Sequence, residues 1–299
     1  MKFASIDIGS NAVRLLLCSV VEKQGEPLFK KNELVRIPLR LGEDAFVHKK
    51  ISDEKADKLV KTMQAFRLLM DVFGAVDYRA CATSAMREAS NGAELMARVR
   101  LEANIHLEII DGRTEAEIIY ANHIAEHLNH DSSYLYIDVG GGSTELTIFS
   151  DNKYVYSQSF NIGTIRLLHN TVSKEHWNDF KETVRNITKN YKPMIAIGSG
   201  GNINKIYKIL KKKDGKSLPY EKIKELSDHL TGFSLEERIS QLGLNPDRAD
   251  VILPAAKIFL SVMKNADIKE IIVPQIGLSD GIVHLLYEKY IGNSVAQRT

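Results

Sequence analysis

The chain has 299 residues, enough for two ordinary domains that each bury a core. With 44% hydrophobic and 26% charged residues, its composition is that of a soluble globular protein. A formal net charge of +2 argues against nucleic acid or an anionic membrane as the main partner, so any anion site has to be a local feature.

The N-terminus runs directly into an apolar segment, with no charged leader and no stretch approaching ~18 apolar residues, which sets the expectation of a cytoplasmic protein. Residues 3–8 and 13–21 are rich in aliphatic and β-branched side chains around Gly9-Ser10-Asn11, predicting a strand, a tight turn and a second strand. Gly25-Glu26-Pro27 ends that strand, and 28–39 reads as extended. Ser52-Asp53-Glu54 is a helix N-cap signal, and Leu59, Met63, Phe66 and Met70 recur behind it at helical spacing. A short strand at 77–82 leads through Thr83-Ser84-Ala85 into a helix holding Arg87. A helix at 93–102 and a strand at 107–110 come next. Thr114, with Glu117 three residues later, predicts a capping box for a helix from about 115 to 128.

After a polar turn at 129–133 the opening pattern returns. Ile6-Asp7-Ile8-Gly9-Ser10-Asn11 is matched by Ile137-Asp138-Val139-Gly140-Gly141-Gly142-Ser143-Thr144-Glu145, again followed by an apolar strand. Two copies so far apart predict a duplicated domain with two phosphate-binding turns facing one cleft. Residues 154–160 look extended and 174–189 helical. A buried strand at 194–197 runs into Gly198-Ser199-Gly200-Gly201-Asn202 and a helix. Helices dominate to about residue 265, followed by a strand at 271–273 and a last helix at 278–290. Strands alternating with helices indicate an α/β protein. Cys18 and Cys81 lie in apolar stretches without metal spacing and read as reduced core thiols.

Gly, Ser and Asn at the turns let several backbone N–H groups converge on an anion. This is no Walker A loop, because GxxxxGK[ST] is missing and a strand follows each turn. The aspartate before each turn repels phosphate directly but can reach it through Mg²⁺, which takes oxygen ligands and needs only one or two carboxylates. Asp7 and Asp138 are the candidates; the alternative is an Asp that fixes its own turn. The run Gly198, Ser199, Gly200 and Gly201 opens a helix and offers a third phosphate contact, or simply a tight strand–helix turn. Glu145 lies just past the second turn, and Glu115 starts a helix. Either carboxylate can orient a water beside a metal-bound polyanion, or Glu115 can simply favour a helix N-terminus. Arg14 and Arg87 are candidate phosphate clamps. His123, His127 and His130 have a spacing open to zinc, but the pattern is not HExxH and is ordinary at a helix C-terminus. Lys211, Lys212 and Lys213 read as a solvated loop that could attract an anionic substrate.

As an ordered set these residues resemble the exopolyphosphatase / guanosine pentaphosphate phosphohydrolase (Ppx/GppA) family, over nearly the whole chain. The resemblance rests on Ile6 to Asn11 with Arg14, Ala82-Thr83-Ser84-Ala85-Met86-Arg87-Glu88-Ala89-Ser90-Asn91, Glu115-Ala116 and Asp138 to Glu145. It continues with Gly163 and Arg166, Gly198 to Gly201, Arg248-Ala249-Asp250-Val251-Ile252 and Gly277-Leu278. It implies two actin-like (RNase H-like) domains of the ASKHA superfamily around an interdomain cleft, with the last helix returning to the first domain: 1–122 plus 282–299, and 123–281. Glu115 then looks like the catalytic glutamate, Arg87 like the arginine reaching the phosphate, and Asp138 and Glu145 like the acidic group around Mg²⁺ and water. Gly9, Ser10, Asn11, Arg14, Gly140, Gly141, Gly142 and Ser143 would hold phosphates.

The activity implied is release of the terminal phosphate of inorganic polyphosphate, or of the 5′-phosphate of guanosine pentaphosphate. Mg²⁺ is the implied cofactor, with room for a monovalent cation such as K⁺, and a homodimer is the implied assembly. Ser279 and Asp280 stand where relatives carry Arg-Glu, so a basic contact near the last helix is missing. Longer relatives continue into a further helical region, and the resemblance does not carry over their grip on long polyphosphate. The rival functions are a small-molecule kinase of the same superfamily and a non-catalytic alarmone or polyphosphate sensor.

Overall fold

A computed structural model describes residues 1–122, 132–151, 153–191, 194–210 and 217–296. The chain divides into two compact units, Met1–His123 with Gly277–Thr299, and Ile124–Ile276.

The first unit opens on a meander of β1 (Lys2–Ile8), β2 (Val13–Lys23) and β3 (Glu26–Ile37). It continues through α1 (Leu41–Val47), α2 (Asp53–Phe73), β4 (Asp77–Ala82), α3 (Ser84–Glu88), α4 (Gly92–Ala103), β5 (Leu107–Ile109) and α5 (Gly112–Tyr120). Its sheet runs β3-β2-β1-β4-β5, antiparallel within the meander and parallel from β1 to β5. Every residue of β1 after Lys2 is buried, as a central strand requires, whereas β3 is an edge strand protected by Lys30, Lys31 and Glu33. Helix α2 buries Ala56, Leu59, Val60, Met63, Phe66 and Met70, the stripe its spacing predicts.

The second unit holds β6 (Ser133–Val139), β7 (Thr144–Ser150), β8 (Lys153–Phe160), α6 (Thr164–Leu168), α7 (Lys174–Thr188), β9 (Met194–Ser199) and α8 (Gly201–Ile209). After these come β10 (Leu218–Pro219), α9 (Tyr220–Thr231), α10 (Leu235–Ser240), α11 (Pro246–Ala249), α12 (Ile252–Ala266) and β11 (Glu270–Ile272). Its sheet runs β8-β7-β6-β9-β11-β10. Up to its fifth strand this is the order of the first sheet, and β10 is added antiparallel to β11. The core gathers Leu135, Ile137, Leu146 and Ile148 from the sheet with Phe180, Val184, Phe259 and Met263 from α7 and α12.

The final helix, α13 (Leu278–Ala296), packs on β1, β2, β4 and α5 and belongs to the first unit. The last crossing therefore falls between 276 and 277, not at the expected 281/282. Ser5 Oγ donates to the Ser279 carbonyl at 2.8 Å, and Lys31 pairs with Asp280 at 2.7 Å, tying both residues to the first sheet.

The cap of α5 also differs from expectation. Asp111, not Thr114, is the N-cap, its Oδ1 accepting from the Thr114 amide at 2.7 Å, and the helix ends at Tyr120. His123, His127 and His130 lie outside the described residues, as do Lys211, Lys212 and Lys213. Both cysteines are buried free thiols, and burial pushes the Cys18 thiol up to about 11. Among the described residues no helix is long and apolar enough to cross a membrane.

Candidate functional site

Each sheet's first hairpin carries one of the two turns. In the first unit the Gly9 amide donates to the Ala12 carbonyl at 3.1 Å, closing the turn between β1 and β2. Its outer carbonyls are held from 40–42: Ser10 O accepts from the Gly42 amide at 2.8 Å and Asn11 O from the Arg40 amide at 3.0 Å. Ser10 Oγ and Ser84 Oγ share a buried hydrogen bond of 2.9 Å, which fixes the turn to the start of α3. Asp7 and Arg14 face each other in the β1–β2 register, with Arg14 Nη1 2.5 Å from Asp7 Oδ2. The expected metal contact and the expected phosphate clamp thus engage each other. Asp7 is only 4% exposed, so the arginine offsets a charge that burial would otherwise penalise.

Arg87 sits on α3, and its Nη1 donates to the Ile110 carbonyl at 2.7 Å, at the junction of β5 and α5. Glu115 follows in the first turn of α5, half-buried, where the helix dipole favours a carboxylate. The Thr114 amide, donating to Asp111, holds that carboxyl below the usual range.

In the second unit the turn closes in the same way, with the Gly140 amide donating to the Ser143 carbonyl at 2.9 Å. Asp138 faces Glu145 in the β6–β7 register. Asp7 to Arg14 and Asp138 to Glu145 are the same step of seven residues, so Glu145 stands where the first copy has its arginine. One hairpin carries an ion pair; the other carries two carboxylates whose oxygens come within 4.8 Å. Glu145 is 4% exposed and accepts from Ser159 Oγ at 2.8 Å.

Helix α6 orients the second turn. The Thr164 amide donates to Gly140 O at 3.0 Å, the Ile165 amide to Gly141 O at 2.9 Å, and the buried Arg166 Nε to Gly142 O at 2.7 Å. These bonds tie all three carbonyls of the glycine run to α6. The approach requires Gly163, where a Cβ would collide with the Gly141 carbonyl. Gly198, Ser199, Gly200 and Gly201 lie beside the same hairpin, Ser199 pairing with Asp138 between β9 and β6. Gly200 has φ +91, and a Cβ there would lie 2.6 Å from Asp138 Oδ1, so only glycine fits against that carboxylate. Arg248 Nη1 donates to Asn202 Oδ1 at 2.7 Å, behind Gly201.

Ser199 Oγ and Thr164 Oγ1 are buried without a hydrogen-bond partner among the described residues. Asp138 and Glu145 offer oxygen donors alone, which suits a hard cation such as Mg²⁺. Sequence reasoning assigned no role to Thr164, Ser159, Arg166 or Arg248. The last two stood in the motif set, but only their side-chain bonds to Gly142 O and Asn202 Oδ1 reveal what they hold.

Two α/β units whose mixed sheets share one strand order, each with a small-residue turn in its first hairpin, define a protein of the actin-like ASKHA class. The chain belongs to the Ppx/GppA phosphatase family, whose sequence profile matches residues 20–289. The crystal structure of the Aquifex aeolicus member of the Ppx/GppA protein family is similar with a TM-score of 0.75 and 28% identity, covering 97% of this chain and 98% of that chain. An exopolyphosphatase from Cytophaga hutchinsonii gives a TM-score of 0.80 and 26% identity over 97% of this chain and 98% of its own. A bifunctional 3-dehydroquinate synthase/phosphatase of Fusobacterium nucleatum is 27% identical over 87% of this chain, which spans 43% of that longer protein.

Proposed function

We propose that this phosphatase-family protein is a Mg²⁺-dependent phosphoanhydride hydrolase. Its substrate is the terminal phosphate of inorganic polyphosphate, the 5′-phosphate of guanosine pentaphosphate, or both. The observation that carries this reading is the exchange of Arg14 for Glu145 at one register position, which sets a pair of carboxylates beside the glycine turn. The exopolyphosphatase likeness supports the substrate class.

In this reading Asp138 and Glu145 would hold Mg²⁺, which when bound offsets charge on the phosphoryl group being transferred. Asp7 is left outside that set because Arg14 engages it. The amides of Gly140, Gly141, Gly142 and Ser143 bind phosphate oxygens, with Gly9, Ser10 and Asn11 supplying the corresponding turn in the first unit. Glu115 orients the attacking water and takes its proton. Arg87, anchored at the β5–α5 junction, stabilises negative charge developing on the phosphate. Chemistry of this kind is mainly positioning and electrostatics. Asp280 has a local task, pairing with Lys31 and accepting from the Gly277 amide at 3.0 Å, so its presence in place of Glu does not by itself favour a non-catalytic sensor.

The test is phosphate release from tripolyphosphate and from guanosine pentaphosphate, with Mg²⁺ and with chelator, in wild type and Glu115→Gln. Release should depend on Mg²⁺ and fall at least ~10²-fold in the variant. Equal rates in the two proteins would remove Glu115 from the role of base.

A further inference from the structure

In the second unit, α7 and α9 both pack on α12, and between them lies a groove of about 540 Å³ that includes none of the turn residues. Its size falls in the range of small-molecule sites, roughly 300–1,000 Å³. Its wall is aromatic and basic together. Trp177 and Tyr220 line it, with Lys181, Lys257 and Lys264 around them. The Lys257 and Lys181 ammonium groups stand 5.3 and 5.8 Å from the Trp177 ring centroid, within cation–π range. Neither Lys257 nor Lys264 has a carboxylate partner among the described residues, and Lys181 reaches only Asn178 Oδ1, at 3.4 Å. Ser261 Oγ, also on the wall, is buried with no hydrogen-bond partner among the described residues.

The lining contains no carboxylate to pair with its lysines, and no histidine or cysteine, which suits the groove to holding an anion. Three lysines select an anion. Trp177, Tyr220, Leu253 and Leu260 select a flat or apolar body, which a bare phosphate chain lacks. We propose that this groove is a binding site for a nucleoside phosphate, with the base against Trp177 and the phosphates on Lys257 and Lys264. Leu167 extends the groove onto α6, the helix whose Arg166 holds the Gly142 carbonyl, so the ligand rests on the element that supports the second turn.

Trp177 is the only tryptophan of the chain, so intrinsic fluorescence reports on this groove. The full-length protein is titrated with adenosine triphosphate and, separately, with tripolyphosphate, both without divalent metal. The nucleotide should change Trp177 emission saturably, and tripolyphosphate should bind at least ~10-fold more weakly. The double substitution Lys257→Glu, Lys264→Glu should weaken the nucleotide by on the order of tenfold or more, with a cooperative thermal melt retained because both side chains are exposed. Equal affinity for the two ligands, or wild-type affinity in the charge-reversed protein, overturns the proposal. So does a nucleotide response lost on Glu145→Gln and kept in the lysine variant, which would place the ligand at the second turn.

Discussion

Arg14 and Glu145 occupy one register position in two copies of the same hairpin, and the copies should answer mutation with opposite sign. Removing Arg14 leaves Asp7 buried without its cation, a loss on the order of 2–3 kcal/mol. Glu145→Gln removes one of two like charges set across a ladder, a relief of about 0.2–1 kcal/mol, and keeps an oxygen for Ser159 to donate to. Urea melts in chelator should therefore rank Glu145→Gln at or above wild type and Arg14→Gln well below it. The double variant Asp7→Asn, Arg14→Gln should recover part of the loss. Added Mg²⁺ should stabilise wild type more than Glu145→Gln. A Glu145→Gln protein clearly weaker than wild type without metal would show that the carboxylate serves the fold itself, apart from any bound metal. Both Arg14 and Glu145 were visible as candidates in the sequence. Their equivalence was not, because it depends on which residues face each other across the strands.

At the scale of elements, the junction of β5 and α5 carries the glutamate assigned as base. Asp111 caps α5 through the Thr114 amide, and Arg87 holds the Ile110 carbonyl immediately before it. Asp111→Ala should cost about 1 kcal/mol of stability and lower phosphate release with it, since Glu115 lies in the turn that the cap holds. The pH dependence has a definite sign. The folded-state pKa of Asp111 lies below its ordinary 3.8, so the cap's contribution is complete above about pH 4 and is lost as pH falls through the lower, folded value. The gap in stability between wild type and Asp111→Ala should close in acid; a gap that stays constant from pH 6 to pH 3 would remove the cap from the account. The sequence pattern misplaced this cap because Asp111 and Thr114 are both good N-cap residues, three apart. The choice fell to the strand, which ends at Ile109 and leaves Asp111 with extended backbone. Where no such competition exists, as at 77–82 or along α2, periodicity alone located the element. The two-residue strand β10 carries too little pattern to be seen.

The whole molecule is a duplication whose copies are continuous to different degrees. Alternating strands and helices, with one acidic turn signal occurring twice, made the α/β class and the pairing of domains legible. The crossing at 276/277 was not, because Ser279 and Asp280 act through partners 274 and 249 residues earlier in the chain. The second unit is the single stretch Ile124–Ile276, whereas the first is completed by α13. That helix places Ile282, Val283 and Leu286 in the first unit's interior, each at most 4% exposed. At ~1.5–3 kcal/mol per buried side chain, the three contribute about 4.5–9 kcal/mol, comparable to the whole stability of an ordinary domain. A fragment of 124–276 should therefore unfold as one cooperative transition in urea. A fragment of 1–123 should show no such transition until a 277–299 peptide is added in trans, and the regained transition should sharpen with peptide concentration. Circular dichroism across the urea series reads both outcomes. A 1–123 fragment that folds cooperatively by itself would show that α13 covers a core already stable without it, and would return 277–299 to the status of an accessory helix.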